Sequence, residues 1–107
     1  MRKADVYYQE VLAGQLVEME FGSKYQFSYA DDYSGPPISL TMPLSVRTFD
    51  FKGFPPFFDG LLPEGFQLEA LIRRKKIDRN DRFSQLIQVG ADTVGAVTIF
   101  EHRPPAA

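Results

Sequence analysis

No cysteine occurs among the 107 residues, which excludes a disulfide framework, a thiolate metal site and a cysteine nucleophile together. Tryptophan is also missing, and the single histidine, His102, stands in the last residues beside Pro104 and Pro105. A catalytic or metal-ligating imidazole needs fixed partners, which such a tail does not offer. The expectation for His102 is a solvated side chain. No apolar run approaches the roughly 20 residues of a membrane span. Met1-Arg2-Lys3-Ala4-Asp5 leads into a strand pattern and not into the apolar stretch of a secretory leader, so a cytoplasmic, soluble chain is expected. A surplus of one charge is lacking too. A formal net charge of −2 gives no general attraction to nucleic acid.

What is present in quantity is aromatic area. Ten Phe and five Tyr make 14% of the chain, more than a small core readily absorbs, so part of it is expected at an interface. The length suits one domain, expected over residues 1–103 with 104–107 as a tail.

Hydrophobic alternation dominates the first forty residues. Val6 and Tyr8 share a face of a first strand. Val17, Met19 and Phe21 share a face of a second, with Glu18 and Glu20 pointing the other way. Gly22-Ser23 fits a two-residue hairpin with glycine in the first central position, and Tyr25, Phe27 and Tyr29 follow at period two. Residues 31–37 (Asp-Asp-Tyr-Ser-Gly-Pro-Pro) are a loop by their turn chemistry. Ile38, Leu40 and Met42 predict a short fourth strand stopped by Pro43, and no period is sustained from Leu44 to Pro56.

A helix is predicted over about 63–76. Proline suits its first turn, Arg73 to Lys76 suit its last, Glu69 and Arg73 make an i, i+4 pair, and Leu68, Leu71 and Ile72 form the core stripe. A second helix is predicted over about 80–89, with Asn80 as its cap, Phe83, Leu86 and Ile87 as its core face and Gly90 as its stop. A last strand follows Gly95, over Ala96 to Glu101. The fold class is α+β: a small, mostly antiparallel sheet or partly open barrel of about five strands with two helices.

The chemistry-bearing motifs are weak. Gly90 and Gly95 have the spacing of a phosphate-binding P-loop, yet Ala96 and Val97 stand where lysine and a hydroxyl residue belong, and the loop runs from helix to strand. A turn in which Asp92 and Thr93 bond locally accounts for it better. Asp31, Asp32, Asp50, Asp59 and Glu64 fit turns and caps, and no nucleophile–base pair assembles around them. Arg73, Arg74, Lys75 and Lys76, with Arg79 and Arg82 nearby, read first as a helix terminus complementing its dipole. A phosphate-contacting patch and a contact for an acidic protein are the other readings.

Pro55 to Phe66 (Pro-Pro-Phe-Phe-Asp-Gly-Leu-Leu-Pro-Glu-Gly-Phe) is apolar but too punctuated for one element. On a helical wheel Phe66 lies some 160° from Leu68, at about 100° per residue. A regular helix therefore leaves Phe66 exposed as an interface anchor. A first turn distorted at Gly65 would instead fold it inward.

Three segments carry a resemblance to a known family. Phe57-Phe58-Asp59-Gly60-Leu61-Leu62-Pro63-Glu64, Pro37-Ile38-Ser39-Leu40-Thr41-Met42-Pro43-Leu44 and Val89-Gly90-Ala91-Asp92-Thr93-Val94-Gly95-Ala96-Val97 resemble, in order and spacing, the N-terminal subdomain of HipA-type toxin kinases. The likeness spans about residues 4–103. No counterpart of that family's ATP-binding loop, catalytic aspartate or metal ligands follows within these residues. The resemblance therefore implies the split arrangement, in which a small antitoxin (HipS) neutralises a separate serine/threonine kinase (HipT) beside a DNA-binding HipB. It implies a non-enzyme without cofactor or metal, with a HipT-like kinase and a HipB-like protein as partners in a ternary complex and no direct contact with nucleic acid or membrane. Phe58, Leu61, Leu62, Pro63, Glu64 and Phe66 are the expected partner-binding residues. The alternative is the structural subdomain of a longer kinase. The Met1 start and proline-rich tail favour a complete protein.

Overall fold

The computed structural model describes residues 1–93 and 95–103. Five strands form one open antiparallel sheet: β1 (Arg2–Tyr8), β2 (Val11–Glu20), β3 (Lys24–Tyr29), β4 (Thr48–Lys52) and β5 (Val97–Glu101), in the order β4-β3-β2-β1-β5. Among the described residues three helices accompany the sheet: the single turn α1 (Pro56–Asp59), α2 (Gly65–Lys75) and α3 (Arg82–Val89), followed by a 3-10 turn at Gly90–Asp92. The architecture is the expected α+β class in its open form and not a barrel.

Alternation explains the sheet. Ala4 and Val6 of β1, Leu16 of β2, Tyr25, Phe27 and Tyr29 of β3 and Ile99 of β5 are buried on one face. Phe58 of α1 and Phe83 and Leu86 of α3 close the same cluster. Phe58 and Phe27 approach to 5.8 Å between ring centroids. The opposite face carries Lys3, Gln26, Thr48 and Asp50, as an antiparallel sheet with one solvated side should.

Several sequence expectations need correction. The predicted shared face of Val17, Met19 and Phe21 does not hold. Val17 faces the outer side with its ladder partners Lys3 and Gln26, and the register shifts after Glu18. Phe21, past the end of β2, lays its ring against the Arg2 guanidinium. Glu18 faces inward and is 4% exposed, because Arg2, its direct neighbour across the β1–β2 ladder, supplies a countercharge. The β2–β3 turn has three residues between the strands, and the bond from Ser23 N to Glu20 O makes Gly22 (φ +72°) the second central residue, not the first. The fourth strand is residues 48–52, within the stretch that shows no sustained period. Residues 38–42 form turns instead. There Ile38 and Met42 are buried while Leu40 is 97% exposed, which breaks the alternation. The hydroxyl of Tyr29 fixes this loop: it accepts from Ile38 N at 3.0 Å and donates to Met42 O at 2.5 Å.

The helices start later than predicted. Asp81, not Asn80, caps α3, its carboxylate accepting from Ser84 N. Ile87 packs against the core only partly. Of the α2 stripe, Leu71 alone is buried, and it lies outside the contiguous core cluster. Glu69 pairs with Arg79 at 2.6 Å and not with Arg73. The Gly90 turn is set by close packing, since a Cβ there would sit 2.2 Å from Ile99 O, and Thr93 Oγ1 donates to Val97 O. His102 is no free side chain. Its Nδ1 lies 2.9 Å from Asp5 Oδ1, and its backbone N donates to Lys3 O. The proline-rich end, residues 104–107, and Val94 of the glycine-bounded turn lie outside the described residues.

Candidate protein-binding surface

Proline and glycine punctuation builds a projecting corner between α1 and α2. Pro55 and Pro56 start α1, whose one turn drives Phe58 fully into the core. The backbone bond from Leu62 N to Asp59 O then folds Leu61 and Leu62 back over it, and both pack partly against the core. Asp59 closes on Arg82 at 2.9 Å and ties the corner to α3.

Gly65 resolves the two readings of Phe66. The backbone at Gly65 does turn into the left-handed region, at φ +58°, which favours glycine. The turn does not fold Phe66 inward: the ring is 95% exposed. Glu64 and Phe66 are exposed and Leu61, Leu62 and Pro63 half-buried, so these five of the six predicted contact residues lie together at the surface. Phe58 is the exception. At 0% exposure it supports the corner from beneath and has no surface to offer a partner.

The helix wheel, applied to α2, divides it into three sides. Phe66, Ala70 and Arg73 point to solvent. Leu68 and Ile72 are half-buried. Gln67, Leu71, Arg74 and Lys75 border a groove of about 490 Å³, closed on the other side by residues of the 60–63 and 88–93 segments. This groove joins two of the motifs distant in sequence, and the sequence reading missed it. The i, i+4, i+7, i+8 spacing of Gln67, Leu71, Arg74 and Lys75 was the signal available.

The charge pattern around the corner is uneven. Arg79 and Arg82 are neutralised by Glu69 and Asp59. Arg73, Arg74, Lys75 and Lys76 are exposed and make no ion pair among the described residues. Arg79 draws the Glu69 carboxyl below its usual range by hydrogen bond and charge. Among the described residues no group of three or more acidic or histidine side chains could hold a metal, and no helix is long and apolar enough to cross a membrane. The surface has the makings of a contact: an aromatic projection, aliphatic walls and unpaired cations.

Comparison with known proteins identifies the family. Residues 4–100 match the family model described as the HipA N-terminal domain. An uncharacterized protein of Haemophilus influenzae is 33% identical over 103 residues, spanning 96% of this chain and 95% of that protein. The solved N-terminal domain of HipA toxin superposes with a TM-score of 0.77 at 28% identity, over 98% of this chain and 96% of that one. A chain from the Shewanella oneidensis MR-1 toxin–antitoxin complex of HipA, HipB and operator DNA gives a TM-score of 0.72 at 25% identity, over 97% of this chain but only 24% of that one. The chain belongs to the HipA N-terminal domain family.

Proposed function

We propose that this chain acts as an antitoxin that binds a separately encoded HipA-like serine/threonine kinase of the HipT type and neutralises it by protein–protein contact, with no catalysis of its own. The observation that carries the reading is Phe66. A phenylalanine 95% exposed beside Leu61, Leu62 and Pro63 has no role in its own fold, while aromatic side chains of this kind are what protein interfaces bury at their centres. A domain that forms part of a larger kinase elsewhere in the family keeps the surface it would pack there, and docking on a separate kinase buries that area again. Phe66 enters an apolar pocket of the kinase near its active site and holds it in an unproductive state. A HipB-like DNA-binding protein completes the assembly, consistent with the HipA, HipB and operator DNA complex of Shewanella oneidensis.

The test is co-expression with the HipT-like kinase of the same genome, scored for complex formation and growth rescue. The native chain should rescue, and Phe66→Asp should neither bind nor rescue. Full neutralisation by both Phe66→Ala and Phe66→Asp removes the residue from the mechanism. A second reading rests on the 24% coverage of the Shewanella chain: the domain serves as the packing subdomain of a longer kinase. It predicts no rescue by this chain even when the complex forms.

A further inference from the structure

The groove between α2 and the two turns facing it shares Leu61, Leu62 and Pro63 with the Phe66 corner but adds a buried floor and a charged rim that the corner lacks. Its walls are Leu61, Leu62 and Pro63, with Leu71 at its floor and Val89 across from it. It exists because α2 stands off the main core: Leu71 is buried but belongs to no part of the contiguous cluster. The rim is charged unequally. Arg74 and Lys75 line the α2 side, without ion pairs among the described residues, and Asp92 lines the opposite side. The nearby acids that could have neutralised them are committed elsewhere, Glu69 to Arg79 and Asp59 to Arg82.

We infer that this groove is a second docking site, which takes a segment of the same partner protein carrying an apolar side chain followed by carboxylates. The apolar side chain lies on Leu61, Leu62 and Leu71. The carboxylates meet Arg74 and Lys75, and Asp92 sets the polarity by repelling them from the far rim. The site rests on the reading of the chain as a kinase-binding protein and adds to it. The cations point to protein and not to nucleic acid, because they cluster over one helical turn of a chain whose net charge is −2 and lie beside aliphatic walls that a phosphate backbone would leave uncovered.

The test titrates isotope-labelled full chain with a short synthetic peptide of two leucines flanked by glutamates, following backbone amide shifts. Saturable shifts are expected at Leu62, Gln67, Leu71 and Gln88. The exposed pair Arg74→Glu and Lys75→Glu should weaken the peptide about fivefold or more, the scale of two surface charge contacts. Phe66→Ala should leave the titration unchanged, so its outcome is separate from that of the Phe66 experiment. Equal binding of a control peptide with lysines in place of the glutamates, equal binding after leucine is replaced by glycine, or no saturable shift overturns the site. Tight binding of duplex DNA that moves Arg73 to Lys76 but none of the leucines overturns it as well.

Discussion

The guanidinium of Arg2 meets the carboxylate of Glu18 side-on, Nε to Oε1 at 2.7 Å and Nη2 to Oε2 at 2.9 Å, between residues directly opposite each other on β1 and β2. The same guanidinium reaches Asp81 Oδ1 at 2.9 Å and Ser84 Oγ at 2.8 Å. Its planar carbon lies 5.0 Å from the Phe21 ring and 4.8 Å from the Phe83 ring. One side chain thus fastens the cap of α3 to the sheet, and Tyr25 donates to Glu18 from below at 2.9 Å.

Arg2→Ala is therefore expected to destabilise the domain well beyond the loss of an ordinary surface pair. It leaves Glu18 buried without its countercharge and removes two ring contacts. The uncompensated carboxylate costs about 2–4 kcal/mol, below the fully buried case because Arg2 is itself part-exposed. In a chain of this length that lowers the melting temperature by roughly 10–20 °C, which thermal unfolding followed by circular dichroism measures directly. A shift within experimental error would show that the network is ornamental to stability.

The same network makes stability depend on pH in a defined direction. Burial works against the charge of both Glu18 and Asp81. The hydrogen bonds from Arg2 to both, from Gly22 N and Tyr25 to Glu18, and from Ser84 to Asp81 outweigh it and hold both carboxyls below their ordinary range. The unfolded chain therefore takes up protons first as pH falls. The contribution is whole above the unfolded values of about 4, declines below them and is gone once pH passes beneath the depressed folded values. Glu18→Gln should lower stability at neutral pH and flatten its decline between about pH 5 and pH 2. Denaturant midpoints measured across that range check both effects.

Residues whose role is set by near neighbours in sequence were readable, and those set by distant partners were not. Tyr25, Phe27 and Tyr29 alternate because a strand does, and each is buried. The wheel put Phe66 opposite Leu68, and the ring is exposed. Glu18 looked like a solvent-facing acid because nothing local announces Arg2 across the ladder. Ile38, Leu40 and Met42 looked like a strand because their pattern has period two. Tyr29, nine residues before Ile38, holds the segment as a turn instead. Thr48 to Lys52 do alternate, with Phe49 and Phe51 half-buried between exposed polar residues, but five residues set in a stretch broken by Gly53, Pro55 and Pro56 are too short a run for the period to stand out.

Tyr29→Phe tests that hydroxyl. The substitution keeps the ring, which stacks parallel on Tyr33 at 5.8 Å, and removes the one atom that satisfies both Ile38 N and Met42 O. Two buried backbone groups then lose their partner, at about 1–3 kcal/mol for each that finds no water. The loss should be local as well as global. Amide exchange at Ile38 and Met42 should quicken more than exchange in β2, whose ladder the change does not touch. Uniform acceleration throughout the sheet would place the hydroxyl in the global core and not in the loop.

Phe58 and Phe66 stand at opposite extremes of burial within a single segment, which lets folding and the proposed binding be tested separately. Phe58 is fully buried against Phe27, so Phe58→Ala opens a core cavity and costs about 3–5 kcal/mol. Phe66 has no intramolecular packing to lose, so Phe66→Ala should change stability by no more than about 0.5 kcal/mol. For the proposed kinase contact the order reverses. Removing a central aromatic anchor costs about 2–4 kcal/mol of binding, which is roughly 30- to 1,000-fold in affinity, carried mainly by faster dissociation. Phe66→Ala should therefore unfold at the native temperature and release the kinase quickly. Phe58→Ala, measured well below its melting temperature, should bind with an affinity reduced only by its unfolded fraction. If Phe66→Ala lowers the melting temperature as far as Phe58→Ala does, the ring belongs to the fold, and its loss of binding would say nothing about an interface.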